Sequence, residues 1–372
     1  MLENKIHYRT CNLCEAMCGL KITYKAKKVI SIVGDKKDPL SKGYICPKSQ
    51  ALKDLYEDSD RLKTPIKRTE NGWEKISWTE AFDEVEHQIK KIQEKYGNDA
   101  VATYQGNPNV HNLGAMLYGG PFLKSLKTKQ KYSATSADQL PHHIASLKMF
   151  GHQMLIPIPD IERTDYLLIL GANPGASNGS LLTAPGFSKK IKNIQKRGGE
   201  VINIDPRYTE TSKISSNHFF INPGKDALLL LSLLHVIFEQ GIDEKTHLSN
   251  HLKGLNEIKE IVKKYPPQKT ASIIGIDGFE VQKIAIDFMN SKTAVCYGRM
   301  GVSTQEYGGI CQWLINVLNI VTNNMDKVGG AMFTKPAIDL VFMTGMQGKV
   351  GNFDRYRSRV HDLPEYSGEL PV

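Results

Sequence analysis

The feature that most constrains this chain is a group of three closely spaced cysteines near its start. Cys11, Cys14 and Cys18 have the spacing C-x2-C-x3-C, and a fourth cysteine, Cys46, is followed by proline. Three thiolates on one tight loop and a distant fourth are what a cubane [4Fe–4S] cluster requires. The alternatives are structural zinc, which prefers two facing C-x2-C knuckles, and a pair of disulfides. Because the second part of the pattern offers a single cysteine, the spacing favours an iron–sulfur cluster, and with it electron transfer.

Length and composition indicate a globular protein of two or three domains. The chain has 372 residues, of which 40% are hydrophobic and 23% charged. Cys296 and Cys311 lie in apolar runs and are predicted to be inert core thiols. The longest apolar run, residues 228–238, suits a buried helix and is too short to span a membrane. Because the first residues show neither an apolar signal region nor a twin-arginine pair, we expect a cytoplasmic protein without a membrane span.

The net charge of +9 has more than one explanation. A nucleic-acid binder would concentrate its basic residues in a stripe or patch, whereas here they are scattered as Lys-Lys pairs along amphipathic helices. A bound polyanionic cofactor explains the same excess, and ordinary solvated helix faces account for most of these lysines. We therefore expect no nucleic-acid partner.

Apolar segments that alternate with helical patterns organise the middle of the chain. The predicted strands are residues 100–104, 165–170, 200–204 and 293–297, and the predicted helices are 77–96, 189–197, 228–238 and 310–321. The first of these helices has Ser77 or Thr79 as its cap and is stopped by Gly97. Strands alternating with helices predict a doubly wound α/β domain.

The predicted strand ends carry residues suited to a nucleotide, since ligands bind beyond the carboxyl ends of strands in such sheets. After the second strand, Gly171 and Gly175 let backbone amides approach a pyrophosphate, with Asn173 and Ser177 as donors. Asp205, after the third strand, is placed to accept from a ribose hydroxyl.

A further loop, residues 223–226, places Asp226 where a carboxylate can meet a guanine edge. Each of these loops taken alone is consistent with an ordinary tight turn. The sequence also lacks G-x-G-x-x-G, which argues against a plain NAD site.

Together these segments resemble the molybdopterin-dependent oxidoreductases, the family that includes formate dehydrogenases. The matching segments occur in the family's order and are residues 11–18, 46–48, 76–78, 171–174, 204–207, 223–226 and 319–330. The resemblance implies a [4Fe–4S] cluster and two molybdopterin guanine dinucleotides that chelate molybdenum or tungsten. It also implies a small-molecule substrate, with electrons passing between the metal, the pterin and the cluster to an electron-transfer protein.

The resemblance assigns roles to individual residues. Lys48 is similar to the family lysine between cluster and pterin, although an exposed lysine is the simpler alternative. The residues that match the dinucleotide site are Asn173, Ser177, Asp205, Arg207, Gly224 and Asp226, with Gly301 and Gln305 as pterin contacts.

The sequence departs from the family at the protein ligand to the metal. In the window where the family places Cys, selenocysteine, Ser or Asp, this chain offers Asp138, with Ser136 in reserve, because a hard oxygen ligand suits a high-valent metal. The alternative is that Asp138 caps the helix beginning near Pro141. The Cys-His or selenocysteine-His pair of formate dehydrogenases is missing, but His142 and His143 are close and could move protons at near-neutral pKa, or be polar residues of a helix surface.

The sequence thus predicts an α/β protein in three parts. These are an iron–sulfur domain at 1–57, a mixed α/β domain at 58–131 and 326–372, and a Rossmann-like dinucleotide-binding domain at 132–325. Family members continue for some hundreds of residues, so we expect a fragment, a truncated product or one half of a split enzyme whose other half is a partner. The expected function is a molybdenum or tungsten oxidoreductase. The alternatives are an electron-transfer or scaffold subunit without that metal, and an inactive remnant.

Overall fold

The computed structural model describes residues 3–179, 181–243 and 245–372. The chain forms two compact units, one of Met1–Ser136 with Phe353–Val372 and the other of Ala137–Asn352. The sequence predicts three domains, and that finer division stays a prediction.

The secondary structure alternates between short strands and helices along the chain. The strands are β1 (Lys5–Thr10), β2 (Gly19–Lys25), β3 (Lys28–Gly34), β4 (Ile66–Thr69), β5 (Gly72–Lys75), β6 (Thr103–Gln105), β7 (Lys131–Ser133), β8 (Ile158–Pro159), β9 (Tyr166–Leu170), β10 (Glu200–Ile204), β11 (Asn217–Phe219), β12 (Ala294–Gly298), β13 (Ala331–Met332), β14 (Phe353–Arg357) and β15 (Pro364–Tyr366). The helices are α1 (Pro47–Gln50), α2 (Leu52–Glu57), α3 (Trp78–Tyr96), α4 (Leu113–Ser125), α5 (Thr135–Asp138), α6 (Leu140–Phe150), α7 (Pro174–Ser177), α8 (Phe187–Lys196), α9 (Asp226–Gln240), α10 (Leu255–Val262), α11 (Pro267–Ile274), α12 (Gly278–Asn290), α13 (Met300–Ser303), α14 (Gly308–Val321) and α15 (Leu340–Gly345).

The first unit opens with an antiparallel sheet in the order β1-β2-β3. Thr10 of β1 pairs with Gly19 of β2, so the segment with three cysteines is the connection of this hairpin. The amide of Cys11 donates to the carbonyl of Cys18 at 2.8 Å and closes the connection at its base. The paired strands therefore fix both ends of the cysteine loop.

Helix α3 confirms its sequence prediction at both ends. Ser77 caps it by accepting from the amide of Glu80 at 3.1 Å, and Gly97 ends it with φ of 85°. The predicted strand at 100–104 is wrong at its start, because a 3₁₀ turn at Asn98–Ala100 comes first and β6 begins at Thr103. Short polar segments directly after a helix favour such turns over strand.

The second unit confirms the predicted doubly wound α/β domain. Its sheet has the order β11-β10-β9-β12, with all neighbours parallel. The chain runs outward from β9 to β10 and β11, then crosses to place β12 on the other side of β9. The strand order reverses between β9 and β12, which is the switch point where such sheets bind ligands.

Both faces of this sheet are covered, which explains why β9 is a continuous apolar run. Leu168 and Leu170 lie in a core with residues of α9, α12 and α14, whereas Leu167 and Ile169 lie in a second core with residues of α8. All four are fully buried. Side chains that alternate between two helical layers require apolar residues at every position of the strand.

The two remaining cysteines are core residues, as predicted. Cys296 and Cys311 lie in the core with Leu168, and burial raises the pKa of both thiols, that of Cys311 to about 12. Both positions therefore fit the prediction of inert core thiols.

Helix α4 exposes most of its apolar side chains. Leu113, Met116, Leu117, Tyr118 and Phe122 are each more than half exposed. Exposed apolar side chains grouped on one helix are a feature that many protein-association sites share. Within the described residues, α4 and the other helices are all too short or too polar to cross a membrane.

Candidate functional site

Three of the four cysteines of the first unit, Cys11, Cys14 and Cys18, lie in one apolar cluster. Cys11, Cys18 and Cys46 are buried and Cys14 is half-buried. Ile22 and Ile32 of the sheet and Ile45 before Cys46 pack against this cluster. The hairpin supplies three thiols and the start of α1 supplies the fourth.

The thiols also act on one another electrostatically. Burial and the charges of Cys11, Cys14 and Cys46 raise the pKa of Cys18 to about 11. Burial raises the pKa of Cys14 as well, with a smaller contribution from Cys11. Among the described residues, no three His, Cys, Asp or Glu side chains form a ligand set for a single metal ion. The charges of the thiols thus act on one another across the cysteine loop and the start of α1.

Cys46 differs from Cys14 and Cys18 because its surroundings lower the pKa of its thiol. Burial acts to raise its pKa, but the amides of Ser49 and Lys48, the Ser49 hydroxyl 3.8 Å away and the charge of Lys48 lower it. Lys48 is exposed, and its charge also lowers the pKa of Cys14. An exposed cation next to two thiols is consistent with the predicted role of Lys48, which stays a prediction.

Sequence reasoning missed Ser49. Its hydroxyl lies 3.1 Å from Cys11 Sγ and 3.8 Å from Cys46 Sγ. The available signal was its position, since a residue three places after Cys46 on one helical turn lies next to the thiol.

In the second unit, the loops after β9 and β12 touch at the switch point. The amide of Gly301 donates to the carbonyl of Gly171 at 2.9 Å. Gly171 has φ of +52°, and a Cβ there would lie 2.7 Å from the amide nitrogen of Val302. A Cβ on Gly301 would lie 2.8 Å from the Gly171 carbonyl oxygen. Only glycine permits the two backbones to approach this closely. Neither position carries a side chain that could occupy the switch point in place of a ligand.

Three of the predicted site residues converge beside this switch point. Asp226 begins α9 and accepts a hydrogen bond from Gln305 Nε2 at 2.8 Å. Burial raises the pKa of Asp226. The Oε1 atom of Gln305 is buried and accepts no hydrogen bond from any described residue, and a Cβ on Gly224 would lie 3.9 Å from it. A buried amide oxygen that accepts no hydrogen bond is suited to a ligand that supplies a hydrogen-bond donor.

Asp205, at the end of β10, is close enough to act on Asp226. Its negative charge contributes to the raised pKa of Asp226, and burial raises its own pKa. Asp205 Oδ1 accepts from the amide of Arg207 at 2.8 Å, and Arg207 itself is exposed. Two half-desolvated carboxylates next to one another are costly unless a ligand supplies donors to them.

The side chain of Asn173 is engaged within the protein rather than open to a ligand. Its Nδ2 donates to Glu210 at 2.7 Å, and its Oδ1 accepts from the amide and hydroxyl of Thr211 at 3.1 and 2.9 Å. Ser177 is exposed and donates to the carbonyl of Asn173 at 3.3 Å. Asn173 therefore ties its loop to the loop after β10, and sequence reasoning missed the partners Glu210 and Thr211.

Asp138 is paired with an arginine that sequence reasoning also missed. Arg299, directly after β12, lies with Nη2 at 3.7 Å from Asp138 Oδ2 and donates from Nη1 to the Asp138 carbonyl at 2.9 Å. The residue at the cap position of α6 is Gln139, so the alternative role of Asp138 as that cap is not seen. The reserve residue Ser136 donates to the carbonyl of Ser133 at 3.3 Å.

The expected near-neutral pKa of His142 is wrong. Its side chain is buried in α6, and burial, with a contribution from Arg299, lowers its pKa to about 3. The neutral ring donates from Nε2 to the carbonyl of Gly298 at 3.1 Å, which leaves Nδ1 buried and without a partner among the described residues. His143 is half-buried and its Nδ1 lies 2.9 Å from the carbonyl of Gln153.

The donor sets fit the groups that the resemblance implies. Buried or half-buried thiols whose charges raise one another's pKa suit a multi-iron cluster, which holds its ligands further apart than a zinc ion does. Carboxylates at Asp205 and Asp226, a spare amide oxygen at Gln305 and the glycine contact at the switch point suit a guanine dinucleotide, whose base and ribose are rich in donors.

Comparison with known proteins identifies the family of the chain. Residues 61–362 match the Molybdopterin oxidoreductase family, and residues 5–57 match the Molybdopterin oxidoreductase Fe4S4 domain. The F420-dependent formate dehydrogenase subunit alpha of Methanocaldococcus jannaschii is 27% identical over 334 residues, which are 88% of this chain and 47% of that protein. The assimilatory nitrate reductase catalytic subunit of Bacillus subtilis is 25% identical over 320 residues, 82% of this chain and 43% of that protein.

Among solved structures, the acetylene hydratase of Pelobacter acetylenicus matches with a TM-score of 0.75 and 26% identity, over 91% of this chain and 46% of that one. The chain spans about half the length of the relatives it matches. These matches confirm the predicted α/β fold with an N-terminal [4Fe–4S] domain and the predicted cofactor class, a molybdopterin with molybdenum or tungsten. The individual site residues stay predictions.

Proposed function

The chain belongs to the molybdopterin oxidoreductase family, and from that premise we propose that it carries the cluster and dinucleotide sites of an enzyme that moves electrons between a small substrate and a redox partner protein. The observation that carries the proposal is the convergence of Asp205, Asp226 and Gln305 beside the glycine contact of the switch point. In a subunit without the dinucleotide, two desolvated carboxylates and a buried oxygen without a donor would only destabilise the fold.

Each group of residues has a proposed task. Cys11, Cys14, Cys18 and Cys46 hold the [4Fe–4S] cluster, and the exposed Lys48 provides positive charge beside two of them. When bound, the metal–pterin group supplies two-electron chemistry and the cluster supplies one-electron transfer.

The dinucleotide is held from the strand ends. Asp226 and Asp205 accept hydrogen bonds from the guanine and ribose, while Gly224, Gly301 and Gln305 line the approach. Arg207, which is exposed next to Asp205, offers its guanidinium to a phosphate. Asn173 and Ser177 act indirectly by fixing the loop after β9.

Asp138 is the proposed protein ligand to the metal. Arg299 holds its carboxylate by the 3.7 Å ion pair and fixes its backbone by the 2.9 Å hydrogen bond. Because His142 stays neutral, its proposed part is to orient the segment through Gly298, and His143 is the better candidate to move a proton.

Substrate, partner and location are further parts of the proposal. Relatives are named for formate, nitrate and acetylene, so these three compounds are the first substrates to assay. The exposed apolar side chains of α4 support binding of a further polypeptide, either an electron-transfer protein or a separate second half of the enzyme. We propose a cytoplasmic location on the composition of the sequence alone.

The deciding experiment is the analysis of anaerobically purified protein for iron, molybdenum, tungsten and released guanine nucleotide. We expect about four irons per chain together with molybdenum or tungsten and guanine nucleotide. Iron without the second metal or nucleotide would favour the electron-transfer or scaffold subunit. The absence of all three, with the chain folded, would favour the inactive remnant and reject the proposal.

Activity is the second measurement. The loaded protein is assayed with formate and nitrate, using viologen dyes as electron acceptor and donor, and with acetylene by measuring the product of water addition. Asp138→Ala should abolish turnover while iron content is retained, and Asp83→Ala, which truncates an exposed residue of α3, is the matched control.

A further inference from the structure

Ser49 connects the two separated parts of the cluster ligand set. It lies on the short helix α1, and its side chain is 1% exposed. Its hydroxyl oxygen is 3.1 Å from Cys11 Sγ, which belongs to the hairpin, and 3.8 Å from Cys46 Sγ, which precedes its own helix. Cys11 is 38 positions away in sequence, so folding of the domain brings this contact about.

The chemistry of ligation fixes the direction of the hydrogen bond. In a free thiol either partner can donate, but a cysteine that ligates iron has lost its proton and can only accept. The Ser49 hydroxyl must then donate, and the Cys11 sulfur is its nearer acceptor. The buried position keeps water from competing for the bond.

We propose that Ser49 is a positioning residue of the iron–sulfur centre, whose hydroxyl donates to the Cys11 thiolate and raises the reduction potential of the cluster. Reduction adds an electron to the cluster and increases the negative charge on its sulfurs. A hydrogen bond to one of these sulfurs therefore stabilises the reduced state more than the oxidised state. Cys46, at 3.8 Å, is too distant for an equally strong bond to the same hydroxyl.

The consequence concerns electron flow. A higher potential makes the cluster a better acceptor for electrons and a weaker donor to the partner protein. Ser49 thus influences how readily the cluster accepts electrons and how readily it passes them to the partner protein. It does so without contacting the substrate.

The test measures the cluster potential of the full chain by titration with dithionite under EPR detection. Ser49→Ala removes the hydroxyl with little change in volume, and Ser49→Thr retains it. The control is Ser41→Ala, because Ser41 is also buried in this domain but its hydroxyl donates to Asp38 and accepts from the Gly19 amide rather than contacting a sulfur. Iron content is measured for every variant, which separates a loss of the cluster from a change in its potential.

We expect Ser49→Ala to lower the potential, so that the ratio of reduced to oxidised cluster at a fixed ambient potential falls about tenfold, equivalent to about 59 mV for one electron. Ser49→Thr and Ser41→Ala should stay near the wild-type potential. A Ser49→Ala protein with full iron content and an unchanged potential would overturn the proposal. So would failure of both Ser49→Ala and Ser49→Gly to hold iron while Ser49→Thr holds it, because the hydroxyl would then serve assembly rather than tuning.

Discussion

Asp226 and Gln305 are joined by a 2.8 Å hydrogen bond across 79 positions of sequence. The bond links the start of α9 to the loop after β12, so it ties two strand-end segments together at the side of the switch point. The same carboxylate is buried, and burial raises its pKa. The protein thus keeps a charge in a place where it weakens the fold, which is typical of a binding site.

Asp226→Asn should therefore make the protein more stable at neutral pH and weaken dinucleotide retention. A carboxyl whose pKa is raised in the folded state stabilises the fold only at low pH, and this contribution is lost as pH rises through the folded pKa. The amide keeps an acceptor for Gln305 without the buried charge. Urea unfolding at several pH values should show the gain at pH 7 and its disappearance below about pH 4, the ordinary value for aspartate. Equal stabilities at all pH values, with Asp83→Asn as control, would contradict this account.

Removal of one cluster ligand should remove the whole cluster. Cys14→Ala and Cys46→Ala should lose both iron and the broad absorbance at about 400 nm. Cys311→Ala is the matched control, since it truncates a buried thiol of the second unit that is remote from the pattern. Stoichiometric zinc without labile sulfide in the wild-type protein would reject the assignment.

The parts of this fold that the sequence predicts well depend on local pattern. Strand β9 lies within one residue of the predicted bounds because a strand buried on both faces is apolar without interruption. The thiol pattern is equally local, since its spacing alone sets three ligands on one loop.

The parts that sequence reasoning missed are side-chain contacts between distant segments. Arg299 meets Asp138, and Ser49 meets Cys11, only after packing has brought the segments together. Burial likewise sets the pKa of His142, and nothing in the adjacent residues reveals that burial. The hydrogen bond from the Thr211 hydroxyl to Asn173 Oδ1 likewise joins segments 38 positions apart, and the role of Asn173 toward a ligand stays a prediction.

Asp205→Ala should reduce retention of the guanine dinucleotide. Loss of a carboxylate acceptor for a buried donor costs about 1–3 kcal/mol, or roughly 5- to 150-fold in affinity. Asp277→Ala is the control. The carboxylates of Asp205 and Asp277 each accept a hydrogen bond from the amide two residues later in the chain. Asp277, however, caps helix α12, whereas Asp205 follows a strand. Nucleotide released on denaturation is quantified for each variant. Similar losses in the two variants would mean that the effect is one of folding.

His142 should make the stability of the protein depend on acid pH. Its pKa falls from the ordinary 6.5 to about 3 on folding, so between these values the unfolded chain binds the extra proton. The contribution of the neutral His142 ring to the stability of the fold is fully present above pH 6.5 and is lost as pH falls toward 3. The wild type should lose up to about 1.4 kcal/mol more per pH unit than His142→Gln over this interval. Parallel unfolding curves for the two proteins, with His87→Gln as exposed control, would show that His142 is protonated in the folded state.

The apolar surface of α4 should govern how this chain behaves alone. Leu117 and Tyr118 are 60% and 75% exposed, and we expect the isolated chain to self-associate or to capture a partner through them. Leu117→Lys with Tyr118→Lys should increase the monomer fraction in sedimentation while iron content is unchanged. The control, Lys90→Glu with Lys91→Glu, changes the charge of neighbouring exposed positions on α3 without touching the apolar surface. A wild-type chain that stays monomeric at high concentration and turns over substrate alone would show that this surface needs no partner.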